Sequence, residues 1–452
     1  MTASNASNCG NGNGNGNRNG GGGHAVDFDV IVVGAGVAGC ATAFQLADAG
    51  HSVLLVERGP EPGAKSLSGG VFYCRVMEQI FPGFTDAAPI ERVITRNCVS
   101  FLNPSSFVNI DYADDRLAQP VNAVSVLRSK LDAWLSDQCE RAGAMVMAGF
   151  RVDRLLVEHG QVCGIGAGED ELRCHVVVAA DGVNSFIARD AGLRTKDPAN
   201  HLAVGLKSVI GLERGVIEDR FNLERGQGAA YAVVGDCTAG VGGGGFMYTN
   251  LESVSIGVVL RLDDLARRGL KSADLLDRFV GHRFIAPFLK GGEPLEYGAH
   301  LVAEGGQAMM RDLVAPGFVV VGEAAGLALN TGLTVRGMDL AAGSAIAAAE
   351  TVKEALAAGD CSPAILSGYP RRLAASFVGK DMTTYRRAPA LLEGARIFND
   401  YGPLLANVLH GVYDLDLSPR RRLWRTARDT LKTAPLGLRH LAGDGWKALR
   451  AL

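Results

Sequence analysis

A chain of 452 residues, 47% hydrophobic and 21% charged with a formal net charge of −3, can bury a large core and divide into two or three domains. No uninterrupted apolar run reaches membrane-spanning length, Leu313–Val335 being broken by Pro316, Glu323 and several glycines, and the polar N-terminus has no secretory h-region. The nine cysteines form no CxxC pair and no cluster, which excludes the usual zinc and iron–sulfur spacings and suits reduced cytosolic thiols.

Residues 1–25 form an Asn/Gly-rich tail that cannot offset its ordering entropy, and disorder is expected. Asp29–Val33 then reads as a buried parallel strand, followed by Gly34-Ala-Gly36-Val-Ala-Gly39 and a helix from Cys40 to Ala49. Gly34 permits the tight turn, Gly36 lets backbone N–H groups approach a pyrophosphate, and Gly39 lets helix and strand pack closely. A second strand, Ser52–Val56, ends in Glu57, 18 residues past Gly39, where a carboxylate can accept from ribose hydroxyls. The order of these parts predicts a dinucleotide site; the alternative is a glycine-rich turn that binds nothing.

Arg58 to Gly70 is a loop in which Ser68, Gly69 and Gly70 either lie against a flat ring or merely connect. Cys98–Leu102 and Ser106–Tyr112 read as strands of a second region. A helix is predicted from Ser125 to about Ala142. Its first turn carries Arg128, a cation disfavoured there by the helix dipole, which points either to a cofactor contact or to a solvated side chain. Met145–Cys174 alternates as short strands. His175–Ala180 is a buried strand ending in Asp181, and Ser185 falls in the first turn of the next helix. Asp181, at a strand end facing the glycine turn, is placed to hold ribose or a phosphate-linked oxygen.

Leu202–Ile210, Ala229–Val234 and Ser253–Leu260 predict an antiparallel sheet with one face over the cofactor, and Asp263–Val280 a helix. Phe318–Val321 leads into Gly322-Glu323-Ala-Ala-Gly326, suited to close approach of a phosphate or ribityl chain. An alanine-rich helix then runs to about Ala357. Its start, Gly337 and Met338, can aim N–H groups at an electron-rich ring edge such as flavin N1/C2=O. The alternative is a core helix in which Gly337 and Gly343 only permit close packing.

Val32–Gly39, Ala180–Ser185 and Val321–Gly326 resemble the three FAD signatures of glutathione-reductase-like flavoproteins. Gly63–Gly70, Glu304–Gly306, Asn330–Asp339, Ser376–Pro389 and Asp444–Leu452 resemble the FixC branch of the electron-transfer flavoprotein–ubiquinone oxidoreductase family. The resemblance runs from about residue 26 to the C-terminus. It implies an α/β fold: a discontinuous FAD domain (26–75, 121–200 and 300–365), an antiparallel substrate or quinone domain (76–120 and 201–299) and a helical, basic region (366–452). It implies FAD held by Gly34, Gly36, Gly39, Glu57, Arg58, Ser68, Gly69, Gly70, Arg128, Ala180, Asp181, Ser185, Gly322, Glu323, Gly326, Gly337 and Met338, with no metal and no assigned catalytic residue. The expected activity is transfer of electrons from an electron-transfer flavoprotein α/β pair to a quinone or other small-molecule acceptor.

Larger relatives carry a four-cysteine iron–sulfur cluster near the C-terminus. No cysteine follows Cys361 here, so the resemblance implies a ferredoxin-like iron–sulfur subunit as partner. Gly322-Glu323 departs from the usual Gly-Asp, and the longer side chain must fold back or shift the ribityl contact. Rival readings are a stand-alone reductase, desaturase or hydroxylase acting on a prenyl chain or other small molecule, and a non-catalytic FAD-binding subunit. With a single GxGxxG segment, NAD(P)H is not expected as a direct donor.

Ser418–Leu452 holds nine basic residues against two acidic ones, a net +7 that leaves −10 on the rest. Such asymmetry marks an interaction surface, for anionic lipid headgroups or for an acidic ferredoxin-like subunit, or else basic helices packed on an acidic body. Nucleic acid is not expected. The expected location is cytoplasmic, with peripheral docking on the inner face of the membrane.

Overall fold

The computed structural model describes residues 26–64, 70–415, 417, 419–420, 422–433, 436 and 438–452. Ser68, Gly69 and the disorder expected for 1–25 lie outside them.

A first sheet is ordered Val314–Ala315, Phe318–Val320, Asp170–Ala179, Phe28–Val33, Val53–Glu57, Met145–Ala148. Along this order all neighbours are parallel except the short Val314–Ala315 edge, while Gln161–Ala167, with Arg154–Glu158 beyond it, adds antiparallel to Asp170–Ala179. Val30, Ile31, Val32, Leu54, Leu55 and Val176–Val178 are fully buried, which is why these strands read as continuous apolar runs rather than alternating ones. The chain leaves Phe28–Val33 for one neighbour, Val53–Glu57, and returns to the other, Asp170–Ala179, only after more than a hundred residues. The reversal creates a crevice at the carboxyl ends of the strands, where Gly34, Asp181 and Gly322 all emerge.

The Val37–Asp48 helix packs on this sheet and against the Met338–Ala358 helix. The small buried side chains Ala341, Ala342, Ala345, Ala348 and Ala349 let the helices approach closely. The Arg128–Arg141 helix flanks the pair, with Leu131 and Leu135 fully buried.

The second sheet is ordered Glu293–Ala303, Leu202–Gly211, Ser253–Arg261, Gly243–Thr249, Gln227–Gly235, Ile90–Leu102, Val124–Val126, Gly70–Phe72, with Phe107–Ala113 also pairing with Ile90–Leu102. One face packs on the Arg214–Phe221 and Ser272–Val280 helices through Leu206, Ile256, Ile217 and Phe279.

Three expectations are corrected. The sheet is not wholly antiparallel, because Gln227–Gly235 runs parallel to Ile90–Leu102. The helix expected from Ser125 begins at Arg128, because Val124–Val126 is a buried strand whose Ser125 hydroxyl donates to the Thr249 carbonyl at 2.8 Å. Asp263–Val280 is two helices, Leu262–Arg268 and Ser272–Val280, because Gly269 takes φ +63° and ends the first.

The C-terminal region is helical, including Tyr401–Tyr413, Leu423–Thr433 and Leu438–Ala451. Among the described residues no helix is long and apolar enough to cross a membrane.

Candidate functional site

The crevice is built from three loops. In the first, Gly34 has φ +108°, and a side chain there would strike the Ala180 carbonyl oxygen at 2.4 Å. Gly39 is tighter: its Cβ would sit 1.8 Å from the Gly34 oxygen. Gly36 differs, since its Cβ would meet only the Arg128 guanidinium, at 3.5 Å. Gly34 and Gly39 thus serve the fold, whereas Gly36 keeps a space open at the start of the Val37–Asp48 helix, where N–H groups and the helix dipole favour an anion.

Glu57 ends its strand beside this loop. Its carboxylate accepts from Ala35 N at 3.1 Å and Gly59 N at 2.7 Å, which fixes its position. Arg128, although in a helix's first turn, is paired with buried Asp132 by two hydrogen bonds of 2.7 Å. This (i, i+4) partner offsets the unfavourable dipole and holds the guanidinium over Gly36. Arg58 is exposed.

In the second loop Ala180 N donates to the Val33 carbonyl at 2.8 Å. One Asp181 oxygen accepts from Ile187 N at 3.0 Å; the other is shielded from solvent with no hydrogen-bond partner among the described residues. Burial raises the proton affinity of this carboxyl. Ser185, in the left-handed region at φ +48°, donates to the Ala324 carbonyl at 3.2 Å and so joins the second loop to the third.

In the third loop Gly322 has φ +65°, and its Cβ would lie 2.6 Å from Ala38 Cβ on the first helix. Its N–H donates to buried Ser344 at 2.9 Å. Gly326, at φ +78°, would press a side chain onto the Met309 carbonyl at 2.5 Å. Glu323 reaches back to accept from Ala303 N at 3.2 Å, and burial raises its proton affinity. Its charge is felt by Arg128, so the acidic third loop and the basic wall of the first share one space. Gly337 precedes the Met338–Ala358 helix with nothing within 4 Å of its would-be side chain, and Met338 reaches to 3.4 Å from that of Gly70.

Sequence reasoning missed the clamp behind the third loop. Arg194 donates to the Ala324 carbonyl at 2.6 Å and the Glu323 carbonyl at 3.3 Å, and is itself held by Asp197 at 2.8 Å. Its distance in sequence leaves no local signal. Asp132, by contrast, stands four residues after Arg128 and was detectable from that spacing. Glu304, whose carboxyl burial raises to about 7, accepts from Asn330 at 3.3 Å and ties two of the branch-like segments together.

These features fit a dinucleotide. The Gly36 gap and the Asp181 oxygen that has no partner among the described residues lie at the carboxyl ends of neighbouring strands, a setting suited to such a ligand. The comparisons agree. Residues 29–87 match the family model described as FAD dependent oxidoreductase, and residues 388–452 match the ETF-QO/FixC family C-terminal domain. The chain resembles in fold a geranylgeranyl bacteriochlorophyll reductase-like protein of Thermoplasma acidophilum, with a TM-score of 0.68 and 21% identity over 92% of this chain and 99% of that one. It also resembles the myxobacterial FAD-dependent halogenase CndH, with a TM-score of 0.59 and 18% identity over 94% of this chain and 90% of that one.

The family match and the relatives make the chain an FAD-dependent oxidoreductase. Two relatives narrow the class. The chain is 44% identical over 426 residues, 94% of its length and 99% of the relative's, to the probable electron transfer flavoprotein-quinone oxidoreductase YdiS of Escherichia coli. It is 41% identical over 431 residues, again 94% and 99%, to protein FixC of Salmonella typhimurium. The chain belongs to the FixC/electron-transfer flavoprotein–quinone oxidoreductase family.

Proposed function

We propose that this protein accepts electrons from an electron-transfer flavoprotein pair and delivers them to a quinone or other small-molecule acceptor, with a ferredoxin-like subunit supplying an iron–sulfur centre. The carrying observation is the match in identity and length to a relative named for electron transfer flavoprotein–quinone oxidoreduction. The convergence of three FAD-type loops supports it.

Bound FAD supplies the redox chemistry; the chain binds it and sets its surroundings. The Gly36 N–H groups and the helix behind them hold the pyrophosphate, with Arg128 as counter-charge. Glu57 receives the adenosine ribose. Asp181 and Glu323 face the ribose, ribityl and phosphate-linked oxygens, with Ser185 and Gly326 shaping the turns around them. Gly70, Gly337 and Met338 border the ring, and the Met338–Ala358 helix start faces its electron-rich edge. In this reading residues 26–75, 121–200 and 300–365 make the FAD domain, 76–120 and 201–299 the acceptor domain, and 366–452 the docking region.

That docking region carries exposed Arg422, Arg425, Arg428 and Lys432 beside exposed Leu423 and Trp424, with Arg425 5.5 Å from the Trp424 ring centre. Mixed basic and apolar exposure suits an anionic membrane surface, at about 1 kcal/mol per basic residue, or an acidic iron–sulfur partner.

Anaerobic kinetics test the proposal. The purified protein should be yellow and release FAD on denaturation. Once photoreduced it should be reoxidised rapidly by a soluble quinone, and oxidised protein should be reduced by the reduced flavoprotein pair but not by NADH. Colourless protein that takes up no FAD would overturn the cofactor reading. Rapid NADH reduction with no quinone reactivity would favour a stand-alone reductase, for which the fold likeness to the geranylgeranyl reductase-like protein gives a second reading.

A further inference from the structure

The Leu423–Thr433 helix sorts its side chains into three sectors. At about 100° per residue, Thr426 and Thr430 fall together, then Leu423, Ala427 and Leu431, then Arg428, Lys432 and Arg425. The threonine sector is packed: a Cβ on Gly411 of the Tyr401–Tyr413 helix would lie 2.9 Å from the Thr426 methyl. The apolar sector is not. Leu423 is 61% exposed, and Trp424, at the border with the cations, is 52% exposed. Arg425 and Arg428 stand 5.5 and 5.9 Å from the Trp424 ring centre.

The far end of the apolar sector opens on a groove of about 450 Å³, a size typical of small-molecule sites. Leu431 lines it together with Phe101 of the Ile90–Leu102 strand, Ile110 of the Phe107–Ala113 strand, and Leu404, Leu405 and Val408 of the Tyr401–Tyr413 helix. The one polar side chain among the described residues of the wall, Tyr401, has its hydroxyl committed to Asp444 at 2.9 Å. An occupant is therefore held in the groove by apolar contact, and any charge it carries must stay outside. Just outside are cations. Arg428, three residues before Leu431, is its neighbour on the helix surface, and Lys432, four after Arg428, continues the basic row; both are exposed.

We propose that this groove is a lipid-binding site, which takes one acyl chain of an anionic phospholipid and sets its phosphate on Arg428 and Lys432. The proposal deepens the membrane-docking reading of this helix and rests on it. Charge and shape together select the occupant. An acidic protein surface would meet the cations but leave the groove empty, and a neutral hydrocarbon or prenyl chain would fill the groove but ignore the cations. An acyl chain with an anionic head uses both. The groove also adds what a basic surface lacks, since headgroup attraction is screened by salt whereas burial of a chain is not.

The test titrates monomeric lysophosphatidylglycerol, below its micelle concentration, into the full-length holoprotein by calorimetry, with lysophosphatidylcholine as the zwitterionic counterpart. Sedimentation with vesicles of phosphatidylglycerol and phosphatidylcholine runs alongside, and FAD content is measured on every variant. The expected result is saturable one-to-one binding of lysophosphatidylglycerol, at least tenfold weaker binding of lysophosphatidylcholine, and at least a tenfold loss in Val408→Trp, which fills the groove, and in the double variant Arg428→Ser, Lys432→Ser. If Val408→Trp does not fold, Leu431→Gln takes its place. Equal affinity for the two lysolipids, or unchanged affinity in the groove variant, would overturn the proposal, as would tighter binding of a neutral prenyl alcohol. Vesicle binding without saturable lysolipid binding would overturn the groove site and leave the docking reading standing. Absence of both would remove the docking reading as well.

Discussion

Gly36 and Gly39, three positions apart in one turn, separate the needs of the ligand from those of the fold. A side chain at Gly36 meets nothing closer than the end of a flexible arginine, at 3.5 Å, whereas one at Gly39 overlaps a backbone oxygen at 1.8 Å. Gly36→Val should therefore yield folded protein with FAD lost, and Gly39→Val should lose about 1–3 kcal/mol of stability or more through overpacking before any ligand is considered. Flavin stoichiometry and urea unfolding of the apoproteins distinguish the two; equal stability with equal flavin loss would refute the division. The glycine pattern was legible because a tight turn imposes its residues locally. The Arg194 clamp was not, since its meaning depends on carbonyls 129 and 130 residues further along, at Glu323 and Ala324.

Elements were legible where burial makes long uniform runs. The Phe28–Val33 and Phe318–Val320 strands and the Met338–Ala358 helix follow from their composition. The Val124–Val126 strand was missed because three residues carry no period, and only pairing with Gly70–Phe72 and Ile90–Val93 makes them a strand. The Gly322–Ala325 turn is likewise set by distant groups. Arg194 and Asp197 bury an ion pair at 2.8 Å behind it, and the guanidinium holds its carbonyls. Arg194→Leu leaves the Asp197 carboxylate buried and alone, so a loss of about 3–5 kcal/mol is expected. FAD affinity should fall with it as the third loop loosens. Denaturant unfolding of the apoprotein measures the first and flavin titration the second; a change below 1 kcal/mol would mean the pair behaves as if solvated.

Across the whole molecule, positive charge gathers at one end of the chain and negative charge is spread over the rest. The basic end is anchored: Asp444 on the last helix accepts from Arg396 at 2.6 Å and from Tyr401 at 2.9 Å. Arg420 is engaged as well, donating to the Val412 and Asp414 carbonyls at the end of the Tyr401–Tyr413 helix, so replacing it would disturb structure along with charge. Arg425, Arg428 and Lys432, exposed on the Leu423–Thr433 helix, make the cleaner test. Replacing all three by Ser should leave FAD content unchanged and weaken binding to anionic vesicles, most at low salt, where the Debye length is longest. Vesicle sedimentation reads the effect, and unchanged binding would remove this helix from the docking surface.

The crevice takes its parts from residues 34–39, 181–185 and 322–338, which are scattered over most of the chain. On the proposed site a ribosome must therefore make the first 338 of 452 residues before FAD has anywhere to bind, and the costly long-range pairings of a parallel sheet have to form without the ligand's help. Once assembled, the native state alone binds the flavin, and a free concentration a hundredfold above Kd adds about 2.7 kcal/mol to stability. Vitamin supply should thereby act on how much of this protein a cell keeps as well as on how fast it turns over, because chains that mature without flavin would wait longer in the state that proteases recognise.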